Sequence, residues 1–128
     1  MVVESTTRTR VPENPLQEPN EVLSLLGDEY VQGILVATSE DARSAKELSE
    51  LVGADVSTVY RRVDDMLEAD FLVERTALAA DGSHHSVYEA NLDHLDVEIR
   101  DGELVVEMDL RESPAERFTR IWDGIRES

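Results

Sequence analysis

The sequence predicts an α+β fold in which helices come first and two β-hairpins follow, and three observations carry that prediction. Apolar residues recur at helical spacing from Asn20 to Leu67, punctuated by capping residues and glycines. Asp81-Gly82 and Asp101-Gly102 each lie between stretches that alternate apolar and polar, a hairpin signature. Ser113, Pro114 and Glu116 then open one more helical pattern, with a capping box and proline at the first helical position.

Taken in order, residues 1–19 hold three of the four prolines and no sustained periodicity, so they read as a flexible N-terminal arm carrying Arg8 and Arg10. From Asn20 a helix runs through Val22, Leu23, Leu25 and Leu26 to Gly27. Asp28 caps a second helix, whose inner face is Tyr30, Val31, Ile34, Leu35 and Thr38. The polar run Ser39 to Arg43 follows. Ser44 with Glu47 forms a capping box for a third helix with Ala45, Leu48, Leu51 and Val52 as its stripe, and Gly53 supplies the positive φ that ends it. Asp55 caps a fourth helix, buried along Val59, Val63, Met66 and Leu67 and open along Val56, Ser57, Tyr60, Arg61 and Asp64.

Strands are expected at Val73–Leu78 and Ser86–Leu92, then at Asp96–Arg100 and Glu103–Leu110. In the second hairpin Leu95, Val97 and Ile99 share a face with Leu104, Val106 and Met108, leaving Glu98, Arg100, Glu103, Glu107 and Asp109 toward water. The last helix carries Ala115, Phe118, Ile121, Trp122 and Ile125 on one stripe, and Phe118, Ile121, Trp122 and Ile125 are the expected dimerisation residues. The whole is a winged helix-turn-helix with an extra β-hairpin and a C-terminal dimerisation helix: an arm over 1–19, a DNA-binding domain over 20–92, and a hairpin plus helix over 93–128.

A helix pair hinged at a glycine and followed by a β-hairpin is a reader of double-stranded DNA, because the open face of the second helix can enter a groove while the hairpin lies along its edge. Ser57, Tyr60 and Arg61 are expected at base edges and adjacent phosphates, with Thr58 and Arg62 toward the backbone. Arg43 and Lys46 would reach phosphate from the preceding loop and helix. Arg75, His84 and His85 belong to the wing. His84 and His85, with Asp81, and His94, with Asp93 and Asp96, have the chemistry of metal ligands; adjacent strand residues such as His84 and His85 point to opposite faces, and no metal site is assigned. No cofactor is expected, and no nucleophile–base pair or phosphate-binding glycine loop suggests an enzyme.

The stretch SAKELSELVGADVSTVYRRVDDMLEADFLVER, with DGSHHSVYEA after it, resembles the winged-helix regulators of the ArsR type over Ser44 to Asn91. That resemblance implies a DNA-binding repressor or activator, and the stripe of the last helix implies a homodimer. The chain has no cysteine, so the thiolate ligands of the metal-sensing members have no counterpart and soft-metal sensing is excluded.

Charge sets the conditions. There are 29 Asp and Glu against 12 Lys and Arg, a formal net charge of −17, and Lys46 is the only lysine. Dispersed acidity with few lysines and aromatics resembles the proteins of salt-accumulating archaea. At 1 M salt the Debye length is about 3 Å, so the self-repulsion is screened. No apolar run approaches the roughly 20 residues of a membrane span, and a cytoplasmic protein is expected. Residues 43–75 hold five basic and eight acidic groups, so DNA binding is expected to depend weakly or inversely on salt, with cations bridging phosphate to Glu47, Glu50, Asp55 and Asp64. A protein-interaction adaptor on the same fold is the alternative.

Because self-repulsion opposes folding in dilute buffer, the thermal midpoint is expected to rise by roughly 5 °C or more between 0.1 and 2 M KCl. Melting followed by circular dichroism checks this, and a flat or falling midpoint would refute it.

Overall fold

A computed structural model describes residues 10–11 and 19–112. It is α+β, with four helices followed by two β-hairpins. The helices are α1 (Pro19–Leu26), α2 (Glu29–Ala37), α3 (Ala45–Val52) and α4 (Val56–Glu68). The first hairpin pairs β2 (Leu72–Leu78) with β3 (His84–Ala90), and the second pairs β4 (Leu92–Arg100) with β5 (Glu103–Leu110). The C-terminal helix, with Phe118, Ile121, Trp122 and Ile125, lies outside the described residues.

The capping residues do what their chemistry requires. Asp28 Oδ1 accepts the Tyr30 and Val31 N–H groups at 2.8 and 3.1 Å, satisfying two of the donors a helix start leaves open. At the end of α4, Phe71 N–H bonds to Met66 O and Asp70 N–H to Leu67 O, with Asp70 at φ 64°. This is the Schellman pattern, with aspartate in the left-handed position where glycine is usual. The helix therefore stops sharply, and the chain enters β2 two residues later.

Val31, Ile34, Leu48, Val59, Val63, Met66, Phe71 and Leu72 are completely buried, so α2, α3 and α4 close around one core. Each large side chain buried this way contributes roughly 1.5–3 kcal/mol. The α2–α3 crossing is close: a Cβ on Gly33 would sit 3.0 Å from Val52 Cγ1. Leu51, expected in the α3 stripe, is instead 57% exposed, and Val52 makes the close contact with α2.

Two backbone contacts join the helices to the first hairpin. Arg43 and Tyr88 exchange both N–H···O bonds, at 2.9 and 2.7 Å, giving β3 a one-residue neighbour from the loop before α3. Thr38, fully buried at the end of α2, accepts the Ala90 N–H at 3.1 Å. The order of helix, bridging residue, helix pair and two-stranded hairpin is compatible with a winged-helix-like fold.

The second hairpin forms in the register its alternation predicts, with Leu95, Val97 and Ile99 opposite Met108, Val106 and Leu104. Asp101 and Gly102, at φ 53° and 78°, make the two-residue turn, a conformation that needs positive φ at both positions. Burial follows only part of the pattern. Val106, Met108 and Leu110 enter the core, whereas Val97 and Ile99 are 47% and 84% exposed because no described element covers the hairpin tip. Asp109, expected to face water, is buried at the base of the strand. Within the stretch read as an arm, β1 (Arg10–Val11) pairs antiparallel with β5, Arg10 opposite Asp109, so this sheet runs β1-β5-β4. A two-residue strand has no periodicity to announce it. None of the described helices is long and apolar enough to cross a membrane.

Asn91, between β3 and β4, joins the two hairpins. It is buried, and its Nδ2 donates to Asp70 O and Glu112 O at 3.1 and 3.0 Å while its Oδ1 accepts the Glu112 N–H at 2.9 Å. Its backbone N–H donates to Phe71 O, and its carbonyl accepts the Arg111 N–H, both at 2.8 Å. Asn91→Ala removes the acceptor of one buried N–H and the donors of two carbonyls, and is expected to cost about 2–4 kcal/mol in urea unfolding. A loss below about 1 kcal/mol would show that the joint is held by something else.

Candidate nucleic-acid interface

The helix pair α3–α4 is built by side chains that cap it. Ser44 Oγ accepts the Glu47 N–H at 3.2 Å and Glu47 Oε1 accepts the Ser44 N–H at 2.9 Å, the reciprocal capping box. The Ser44 backbone donor holds the Glu47 carboxyl below its ordinary range. Gly53, at φ 72°, closes α3. Asp55 Oδ1 then accepts the Thr58 N–H at 2.9 Å and the Ser57 hydroxyl at 3.0 Å, and the Thr58 backbone donor leads in lowering the Asp55 carboxyl. Two of the four carboxylates expected to bridge cations are thus occupied in capping, while Glu50 and Asp64 are exposed.

Along α4, Val59, Val63 and Met66 are fully buried, and Val56, Ser57, Tyr60, Arg61 and Asp64 face outward as the spacing predicts. Thr58 is half-buried, its N–H committed to the cap. Arg61 and Lys46 are exposed. Among the described side chains, neither has a carboxylate within ion-pair distance, whereas Arg43, Arg62, Arg75, Arg100 and Arg111 each do.

Several basic residues of the expected set make internal contacts. Arg62 Nε lies 3.0 Å from Asp28 Oδ2, and its guanidinium stacks over the Tyr30 ring at 5.7 Å. It fastens α4 to the start of α2 and is not directed outward with Arg61. Asp28 therefore caps one helix with one oxygen and anchors another with the second. Arg75 bonds Glu89 across the hairpin at 2.8 Å and approaches Glu112 at 3.5 Å; the Glu89 carboxylate raises its already high pKa. Arg43 donates to Ala37 O at 3.2 Å and lies 3.8 and 3.9 Å from Asp41 and Glu47. The pairings of Arg62 and Arg75 were invisible in sequence because the partners stand far apart, Arg62 and Asp28 by 34 residues and Arg75 and Glu89 by 14; those of Arg43 are local, with Glu47 one helical turn away.

His84 and His85 are exposed at the start of β3, opposite Leu78 and Ala77. The hairpin's return strand β3 lies beside α3. Asp81 Oδ1 accepts the Ser83 N–H and hydroxyl, ordering the wing turn around Gly82. Tyr88, buried beneath the wing, has its phenol pushed up by burial and stays neutral. Between α1 and α4 a groove of about 450 Å³ is lined by Glu21, Asp28, Asp65 and Glu68 around Arg62, a surface that repels phosphate.

One histidine–carboxylate group among the described residues has donor atoms within 4.8 Å of one another, formed by His94, Asp96 and Asp109. His94 Nε2 is 2.9 Å from Asp96 Oδ1, and the row runs on by register to Arg10. Asp93, weighed with His94 from the sequence, instead faces Arg111 at 3.7 Å.

No protein-family model matches the chain, and a search of curated proteins finds no match.

The two neighbouring arginines of α4 are expected to separate in their roles. Arg62→Ala should lower the unfolding free energy by about 1 kcal/mol through loss of the Asp28 pair and the Tyr30 contact. Arg61→Ala should change it by less than about 0.5 kcal/mol. Equal losses in urea unfolding of the two variants would contradict the assignment.

Proposed function

We propose that this chain is a sequence-specific DNA-binding transcriptional regulator, repressor or activator, of winged helix-turn-helix type, working as a homodimer at high salt. The ArsR-type resemblance of Ser44 to Asn91 fits this reading. The observation that carries it is the fate of the cations: of the seven described basic side chains, five are tied to carboxylates, and the two that are not, Lys46 and Arg61, both stand on α3–α4. Among the described cations, Lys46 and Arg61 are thus the two open to an anionic partner, and both lie on the helix pair.

In this reading α4 lies in the major groove. Ser57, Tyr60 and Arg61 contact base edges and neighbouring phosphates, Lys46 contacts phosphate, and His84 and His85 follow the backbone at the wing. Arg43, Arg62 and Arg75 act instead by holding the helix pair and wing in shape. Exposed Glu50 and Asp64 are the places where hydrated cations sit between protein and phosphate. The cytoplasm is the proposed setting, and catalysis is not part of the role.

A second reading, an adaptor that binds another protein, is favoured by the exposed apolar tip of the second hairpin at Val97, Ile99 and Leu104. Retained self-association with no sequence-specific DNA protection at molar KCl would support the adaptor.

With two ionic contacts per protomer, each contributing roughly −0.9 to the log–log slope, a dimer should show a slope no steeper than about −4 between 0.2 and 2 M KCl. Cation uptake would make it shallower. Fluorescence anisotropy on a selected duplex measures the slope, and a value near −8 would mean that the paired arginines are released to bind DNA. Arg61→Ala should relax base preference about tenfold at one position, the scale of a lost arginine–guanine contact.

A further inference from the structure

Resting on the DNA-reading role proposed above, we infer that Val56 and Tyr60 form an apolar contact that reads the C5-methyl groups of thymine in the major groove. Val56 is the first residue of α4 and is 40% exposed; Tyr60, four residues on, is 49% exposed. Residues four apart on a helix are neighbours on one face, so the isopropyl group and the ring make a continuous apolar strip. It occupies the N-terminal turns, where a recognition helix comes closest to base edges.

The surroundings select the base. Thymine alone of the four bases puts a methyl group into the major groove, whereas guanine presents two acceptors that need cationic or N–H donors. Two donors of the first turn are already spent: the Thr58 N–H and the Ser57 hydroxyl are both turned to Asp55. The Asp55 carboxylate beside Val56 also repels an acceptor-rich edge. Arg61, one turn along, remains available for a different base pair.

The charge pattern points the same way. With five of seven described basic side chains held in internal pairs, little affinity can come from displaced counterions. Apolar burial is not screened by salt, so a methyl contact keeps its strength at concentrations that weaken ionic ones.

The test uses the full chain at 2 M KCl. A random pool of duplex DNA is selected for binding, and the best duplex is remade with deoxyuridine in place of thymidine, one position at a time. Removing a buried methyl should weaken binding about fourfold at one or two positions of each half-site. Val56→Ala should bind the thymine duplex more weakly and lose the distinction between thymine and uracil, while Val56→Ile keeps it. Matching circular dichroism melts establish that each variant is folded. Indifference to deoxyuridine at every position overturns the inference, as does a distinction that survives in Val56→Ala. If no sequence is enriched, the DNA-reading role itself fails, and the methyl contact with it.

Discussion

A buried asparagine joins the two hairpins of this fold. Asn91 lies where β3 ends and β4 begins, and its amide binds the end of β5 on one side and the α4–β2 corner on the other. A carboxamide suits the position because it offers donors and an acceptor from one planar group, and three backbone groups need partners there. Since Asp70 O is one of those partners, the joint also supports the left-handed corner that ends α4 and starts the wing. The second hairpin is thereby anchored at its base and left uncovered at its tip, which accounts for the contrast between buried Leu110 and exposed Ile99.

Acidity organises the surface around this frame. A chain with 29 carboxylates and 12 basic groups has more anions than it can pair, so its few cations are drawn into internal bridges wherever geometry allows. Arg62 links α4 to the start of α2, Arg43 faces Glu47 in the first turn of α3, and Arg75 links the first hairpin to Glu112. Partly exposed ion pairs of this kind are each worth little in energy. Carboxylates also serve twice: Asp28 caps α2 while holding Arg62, and Glu47 completes a capping box while facing Arg43.

Much of the candidate surface was readable in advance because it depends on local chemistry. The Ser44–Glu47 box, Gly53, the Asp55 cap and the alternation of inward Val59 and Val63 with outward Tyr60 and Arg61 all follow from helix periodicity and orphan N–H groups. The Asp101-Gly102 turn was equally direct, since few residues tolerate positive φ. The ion pairs of Arg62 with Asp28 and of Arg75 with Glu89 lacked this footing: a basic residue's type says that it needs a partner, and packing says which one.

What the sequence by itself determined, then, is where helices begin and end, which face of each is apolar, and where the chain reverses, because those outcomes depend on residues within about one turn of each other. The tertiary structure decided the rest. It matched Arg62 with Asp28, placed Asn91 at the joint, added Arg10–Val11 to β5, buried Asp109 and left Val97 and Ile99 open. Each of these depends on segments distant along the chain being brought together, and neither hydrogen-bond pairing nor solvent exposure exists until they meet.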